Sequence, residues 1–137
     1  MTEPMNHHAA LVYVMVTISA VDRAMTDDEL HRIGEIVSNL PVFADCDENG
    51  LFKAAEACSE ILSADGGLQQ VLRLVREALP EKLRETAYAV ALEVAAADRL
   101  VRPEETRFLE MLGDTLELDR MTTAAIERGI RARNTTL

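Results

Sequence analysis

Two apolar stretches, residues 9–22 and 85–98, each end in an Asp followed by Arg, and each runs into an acidic segment. The first junction reads Asp22-Arg23-Ala24-Met25-Thr26-Asp27-Asp28-Glu29 and the second Asp98-Arg99-Leu100-Val101-Arg102-Pro103-Glu104-Glu105. In both, an apolar residue stands three positions after the Asp (Met25, Val101) and a Glu seven positions after it. A stretch that is apolar on nearly every side belongs inside a protein, so the chain has to wrap these two segments with the rest of itself. The first is rich in β-branched residues, which a strand also accommodates, and periodicity alone does not separate the two forms. Its length and its counterpart decide for helix: the second carries Ala at 87, 89, 91, 95, 96 and 97, the composition with the best helix propensity. The expectation is an all-α, single-domain array of about seven helices with an internal pseudo-two-fold helix-loop-helix duplication. The repeat units span about 9–40 and 85–116, inside a domain of 9–137 that follows a flexible N-terminus of 1–8.

A chain of 137 residues suits one domain that needs no metal or disulfide to hold it. Aromatic residues make up only 4 % and Trp is absent, so the core must be built from Leu, Val, Ile, Met and Ala, which favours helix packed on helix. The net charge of −10 excludes a nucleic-acid partner, whose phosphates are met by Lys and Arg, and disfavours an anionic lipid surface. Residues 22–48 hold eight acids against two Arg, whereas Arg128, Arg131 and Arg133 make the C-terminal end basic. Opposite ends of this kind also suit a homo-oligomer. Glu3 precedes the first apolar run and no Lys or Arg does, and the run is too short to cross a bilayer, so a buried helix is expected and not a leader or an anchor. Cys46 and Cys58 lack the spacing of a metal or dithiol pair and read as reduced thiols of a cytoplasmic protein.

Local signals place the other helices. Thr26 and Glu29 have capping-box spacing, with Leu30, Ile33, Val37 and Leu40 as the apolar face and Pro41 as the stop. Pro103 suits a first helical turn, and Phe108, Leu109, Leu112 and Leu116 give the matching face in the second unit. Between the units, Asp47 caps a helix to about Ser63 with Phe52, Ala55, Ile61 and Leu62 inward. Residues 64–67 form a turn, and Val71, Leu72, Val75 and Leu79 mark the next helix. A last helix runs from Asp119 towards Arg133.

For the acidic junctions two readings stand open. In one, each Asp caps the following helix or pairs with the adjacent Arg, while Glu29 and Glu105 serve first-turn N–H groups. In the other, Asp22 and Glu29 with loop carbonyls form an oxygen site for Ca2+ or Mg2+, and Asp98 with Glu105 forms a second; six or more oxygens are needed, so Asp27, Asp28, Glu104 and water would complete them. A separate stretch, Asp45-x-Asp47-x-Asn49-Gly50 with Glu56 beyond, fits the spacing of a calcium loop as well as that of a helix cap. Phosphate loops, nucleophile elbows, His-Glu-x-x-His and Glu-x-x-His are all absent, so no catalytic residue and no enzyme is expected. His7, His8 and His31 read as surface residues, and the methionines as core filler.

An apolar helix, Asp-x-x-apolar-x-x-x-Glu opening an amphipathic helix, a helical spacer and then the same unit again resembles the TerB-like family. That family is named for tellurite-resistance gene clusters and is also represented by a domain of a membrane-anchored DnaJ-type co-chaperone. The likeness covers roughly residues 9–119. It implies an all-α, internally duplicated cytoplasmic domain tied to chemical-stress responses, with metal binding and contacts to partner proteins, some of them membrane-associated. The family's acidic motif falls on Asp22 and Glu29 and again on Asp98 and Glu105. Members commonly have Gly after the motif Asp, where this chain has Arg23 and Arg99, each placing a cation beside the carboxylate. The function expected is therefore a non-enzymatic domain that meets a partner protein through Asp27, Asp28 and Glu104; the alternative is a divalent-cation sensor.

Overall fold

The computed structural model describes residues 5–21, 26–98 and 102–137, with the side chain of Asp98 outside that set. Among the described residues there are seven α-helices and no strand: α1 (His7–Ala20), α2 (Asp27–Asn39), α3 (Glu48–Leu62), α4 (Gly67–Ala78), α5 (Arg84–Ala95), α6 (Pro103–Thr115) and α7 (Arg120–Asn134). Three 3-10 turns, Pro41–Phe43, Glu81–Leu83 and Ala96–Asp98, fill the connections.

The apolar composition of α1 makes it the centre. Every residue from Ala10 to Ser19 is buried, and α3, α4, α5 and α6 all pack against it. Two of its buried hydroxyls have partners: Ser19 Oγ donates to the Met15 carbonyl within the helix (3.1 Å), and Thr17 Oγ1 lies 3.4 Å from Cys58 Sγ of α3. The partner helix α5 buries Ala87, Ala91 and Ala95, whose methyl groups leave room for close approach to α1. Around this pair, α2 and α7 pack on α5, while α3 and α4 pack on α1 and on each other.

Several expectations change against this frame. Helix α1 begins at His7, because Asn6 Oδ1 accepts the N–H of Ala9 at 2.8 Å and caps the helix there. His8 is half-buried and held in place: its Nε2 lies 2.7 Å from the Val42 carbonyl, and its ring stacks on Phe43. Leu30 and Phe52, expected inside, are 59 % and 70 % exposed, and Met121 is solvent-facing too. The inward face of α3 is made by Ala54 and Cys58, small side chains that let it lie close to α1, and Phe52 falls on the opposite side. Cys58 is fully buried, and burial pushes its thiol up to about 11. The calcium-loop reading of Asp45 to Glu56 is overturned: Asp47 accepts the N–H of Asn49 as a helix cap, and α3 runs straight through the positions such a loop would occupy.

The end of α6 is closed from outside. Glu117 takes a left-handed conformation (φ 57°), and the Leu118 N–H reaches back to the Gly113 carbonyl at 2.9 Å, a Schellman closure. Arg76 and Arg84 donate to the carbonyls of Thr115 and Leu116, and both guanidinium groups pair with Glu117. Two cations thus meet the negative end of the helix.

Gly67 opens α4 directly against α3, where a Cβ would stand 2.1 Å from the Ile61 carbonyl oxygen. Gly67→Ala is expected to destabilise by about 3 kcal/mol, because backbone must move to relieve the clash. Gly34 on α2 has nothing within 4 Å of the same position, and Gly34→Ala should stabilise by about 0.5–1 kcal/mol. Urea unfolding midpoints moving in opposite directions would show both; a neutral Gly67→Ala would contradict the α3–α4 contact.

Candidate functional site

Both acidic junctions deliver a glutamate to the same place, the third residue of the helix that follows. At α2, Thr26 Oγ1 accepts the N–H of Glu29 (3.1 Å), and Glu29 Oε1 returns the favour to the Thr26 N–H (2.9 Å) and hydroxyl (3.2 Å). At α6 the residue before the helix is Arg102, whose side chain has no acceptor, so the return bond defines the arrangement: Arg102 N–H donates to Glu105 Oε1 at 2.9 Å. Pro103 in the first turn needs no N–H partner of its own. Glu29 and Glu105 are each only 3 % exposed. A carboxylate buried to that degree needs hydrogen bonds and a positive potential, and the start of a helix supplies both.

The acids beside them point the other way. Asp27, Asp28 and Glu104 are all exposed, and none forms a salt bridge with a described residue. Glu104 also lines a cleft of about 530 Å3 whose walls include Val21 at the end of α1, Leu68 of α4, and Phe108 and Met111 of α6. Asp65 and Arg107 border the same cleft. An apolar floor therefore sits next to one of the two acidic helix starts and next to the helix end that precedes the other.

Of the four residues expected to hold a cation, Glu29 and Glu105 are described and occupy matching cap positions. Asp22 and the side chain of Asp98 lie outside the described residues. A Ca2+ or Mg2+ site needs about six oxygens, and among the described residues no three His, Cys, Asp or Glu side chains gather closely enough to hold an ion. Glu29 and Glu105 each commit one oxygen to a helix N-terminus, so what is described here fits a cap and does not by itself make a cation cage. Two polar clusters had no forewarning in the sequence: Arg32 of α2 with the Glu93 carbonyl and Asn134, and Tyr88 of α5 with Glu127 of α7. Their members are too far apart in the chain for spacing to reveal.

A model of the family described as tellurite resistance protein TerB matches residues 8–128. No curated protein and no solved structure gives a match.

Glu29→Ala and Glu105→Ala should each cost about 1–2 kcal/mol of stability, since each leaves a helix N-terminus without its buried acceptor. Glu→Gln at either site keeps an acceptor oxygen and should cost less than the Ala change. Chemical denaturation of the four variants checks this; Gln variants as damaged as the Ala variants would show that the negative charge, and not the cap bond, is what matters.

Proposed function

The chain belongs to the TerB family, and on that premise we propose that it is a non-enzymatic, tellurite-resistance-associated domain that works through protein–protein contacts at its two acidic helix starts. Its setting is a cytoplasmic stress-response assembly, in part membrane-associated. The observation that carries this reading is the division of labour among the acids. Glu29 and Glu105 are spent inward on the fold, which leaves Asp27, Asp28 and Glu104 displayed at helix N-termini with no ion pair to another described residue. A partner suited to that surface is basic, with an apolar side chain to enter the cleft beside Glu104. The two hairpins, α1–α2 and α5–α6, support descent from one duplicated unit: their glutamates take the same cap position, and α2 packs on α5 as α6 packs on α1.

Direct detoxification of tellurite is a weaker fit. An anion would approach a chain of net charge −10, and Cys58 is buried with its thiol held protonated, which removes one half of any dithiol. A second reading rests on the same pair of buried glutamates: Asp22 with Glu29 and Asp98 with Glu105 bind Ca2+ or Mg2+ and set the angle between their flanking helices.

Asp28→Lys combined with Glu104→Lys is expected to abolish capture of the partner from stressed cells while leaving the melting temperature within a few degrees of wild type, as surface changes do. Undiminished capture would remove the proposed surface. Calorimetric titration with Ca2+ and Mg2+ separates the two readings. Protein contact at the acidic starts expects no stoichiometric heat at roughly millimolar metal and no thermal shift. Saturable heat that disappears in Asp22→Asn and Asp98→Asn would transfer the function to cation sensing.

A further inference from the structure

A second cavity, of about 490 Å3, lies between α5, α6 and α7, away from the acidic helix starts. Its volume falls within the range of small-molecule sites, roughly 300–1,000 Å3. Leu92, Ala96, Leu109 and Ile130 give it an apolar lining, and Glu110, Glu127 and Arg131 add charge. Tyr88, itself 3 % exposed, also lines it and donates its hydroxyl to Glu127 Oε1 at 2.6 Å. Burial, helped by the hydrogen bond and the negative charge of Glu127 and Glu110, holds the Tyr88 proton in place well above the ordinary tyrosine range. The phenol is thus a permanent donor that fixes one oxygen of Glu127 and orients the carboxylate.

The charged groups here are not consumed by one another. No described cation pairs with Glu110 or Glu127, and the guanidinium that reaches Glu93, at 2.6 Å, is that of Arg133 and not of Arg131. With two carboxylates and one guanidinium, the cavity carries a formal charge of −1 (1 − 2). An apolar slot with surplus carboxylate fits a ligand that is greasy at one end and cationic at the other. We propose that this cavity binds a small organic ammonium compound, its apolar body against Leu92, Leu109 and Ile130 and its protonated amine on the carboxylates of Glu127 and Glu110. The amine's N–H groups match the acceptors that Tyr88 leaves unused, whereas an anionic ligand would face two like charges for one opposite.

The chain has no Trp, so indole probes can be read by fluorescence against a dark background. Tryptamine, 3-ethylindole and indole-3-propionate share a ring system and differ in the charge of the tail. Tryptamine is expected to saturate with a blue-shifted emission and to bind about ten-fold or more tightly than 3-ethylindole, the size of a charge-assisted hydrogen bond. Indole-3-propionate should bind more weakly than either. Glu127→Gln preserves an acceptor for Tyr88 and Glu110→Gln alters an exposed side chain, so both should fold; each should weaken tryptamine without weakening 3-ethylindole. The proposal is overturned if the three probes bind alike, if the propionate binds best, if both Gln variants bind tryptamine as the wild type does, or if no probe saturates at roughly millimolar concentration.

Discussion

Helices α1 and α5 are apolar around most of their circumference, and a helix of that kind cannot lie on a surface without exposing one of its greasy sides. They must be surrounded. Each remaining helix brings a single apolar face, and the arrangement that buries the two central helices with the least chain is a wall of amphipathic helices joined by short turns. Scarcity of aromatic residues shapes how tightly that wall closes. Ala87, Ala91 and Ala95 on α5, and Ala54 and Cys58 on α3, are contact residues because small side chains permit close approach, with Phe108 and Met15 providing bulk. The core is filled by aliphatic side chains and alanine methyl groups more than by large rings.

The positions of the acids follow from the same constraint. Each central helix must leave the core, reverse, and hand the chain to a helix of the wall, whose first N–H groups then start close to buried surface. Glu29 and Glu105 answer that need from inside, as carboxylates whose burial is offset by the N–H bonds and by the positive end of the helix. Neighbouring residues on a helix are turned by about 100°, so the acids before them face water. A cap built from inside and an acidic surface built outside are consequences of one short sequence, and the interaction reading of this family member draws on the second.

How far this was legible varies with the kind of signal. Val71, Leu72, Val75 and Leu79, and Phe108, Leu109, Leu112 and Leu116, were placed inside from spacing alone and are buried, because their aliphatic residues keep to one face and no others compete. Leu30, Phe52 and Met121 face water although their apolar character argues for burial, because the inward face of a helix is chosen by what its neighbour leaves room for. On α3 that room admits Ala54 and Cys58 and excludes a phenyl ring. The Thr26–Glu29 cap was legible because a capping box is a local pattern, whereas Glu105 follows Arg102, which carries no cap acceptor, and its spacing left a cap and a cation ligand both open. Tyr88 with Glu127, and Arg32 with Asn134, join residues 39 and 102 positions apart, and contacts of that range leave no trace in spacing.

Helix α7 shows what happens where the wall is least apolar. Ile130 is its one buried residue and Ile126 packs half-buried on the core, while polar links join the rest: Glu127 to Tyr88, Arg133 to Glu93, and Asn134 to Arg32. Arg133 is 73 % exposed, so water screens its pair with the largely buried Glu93. Polar side chains reach across a gap that aliphatic ones would have filled, and space is left along both sides of the helix: the cavity beside Tyr88, and a shallower one that includes Ala89, Ile126 and Gly129. The larger opening lies where α5 presents an apolar surface to a helix that buries a single apolar residue, Ile130. Any ligand that supplied apolar contacts there would touch α5 and α7 together and so add to the packing that already joins them.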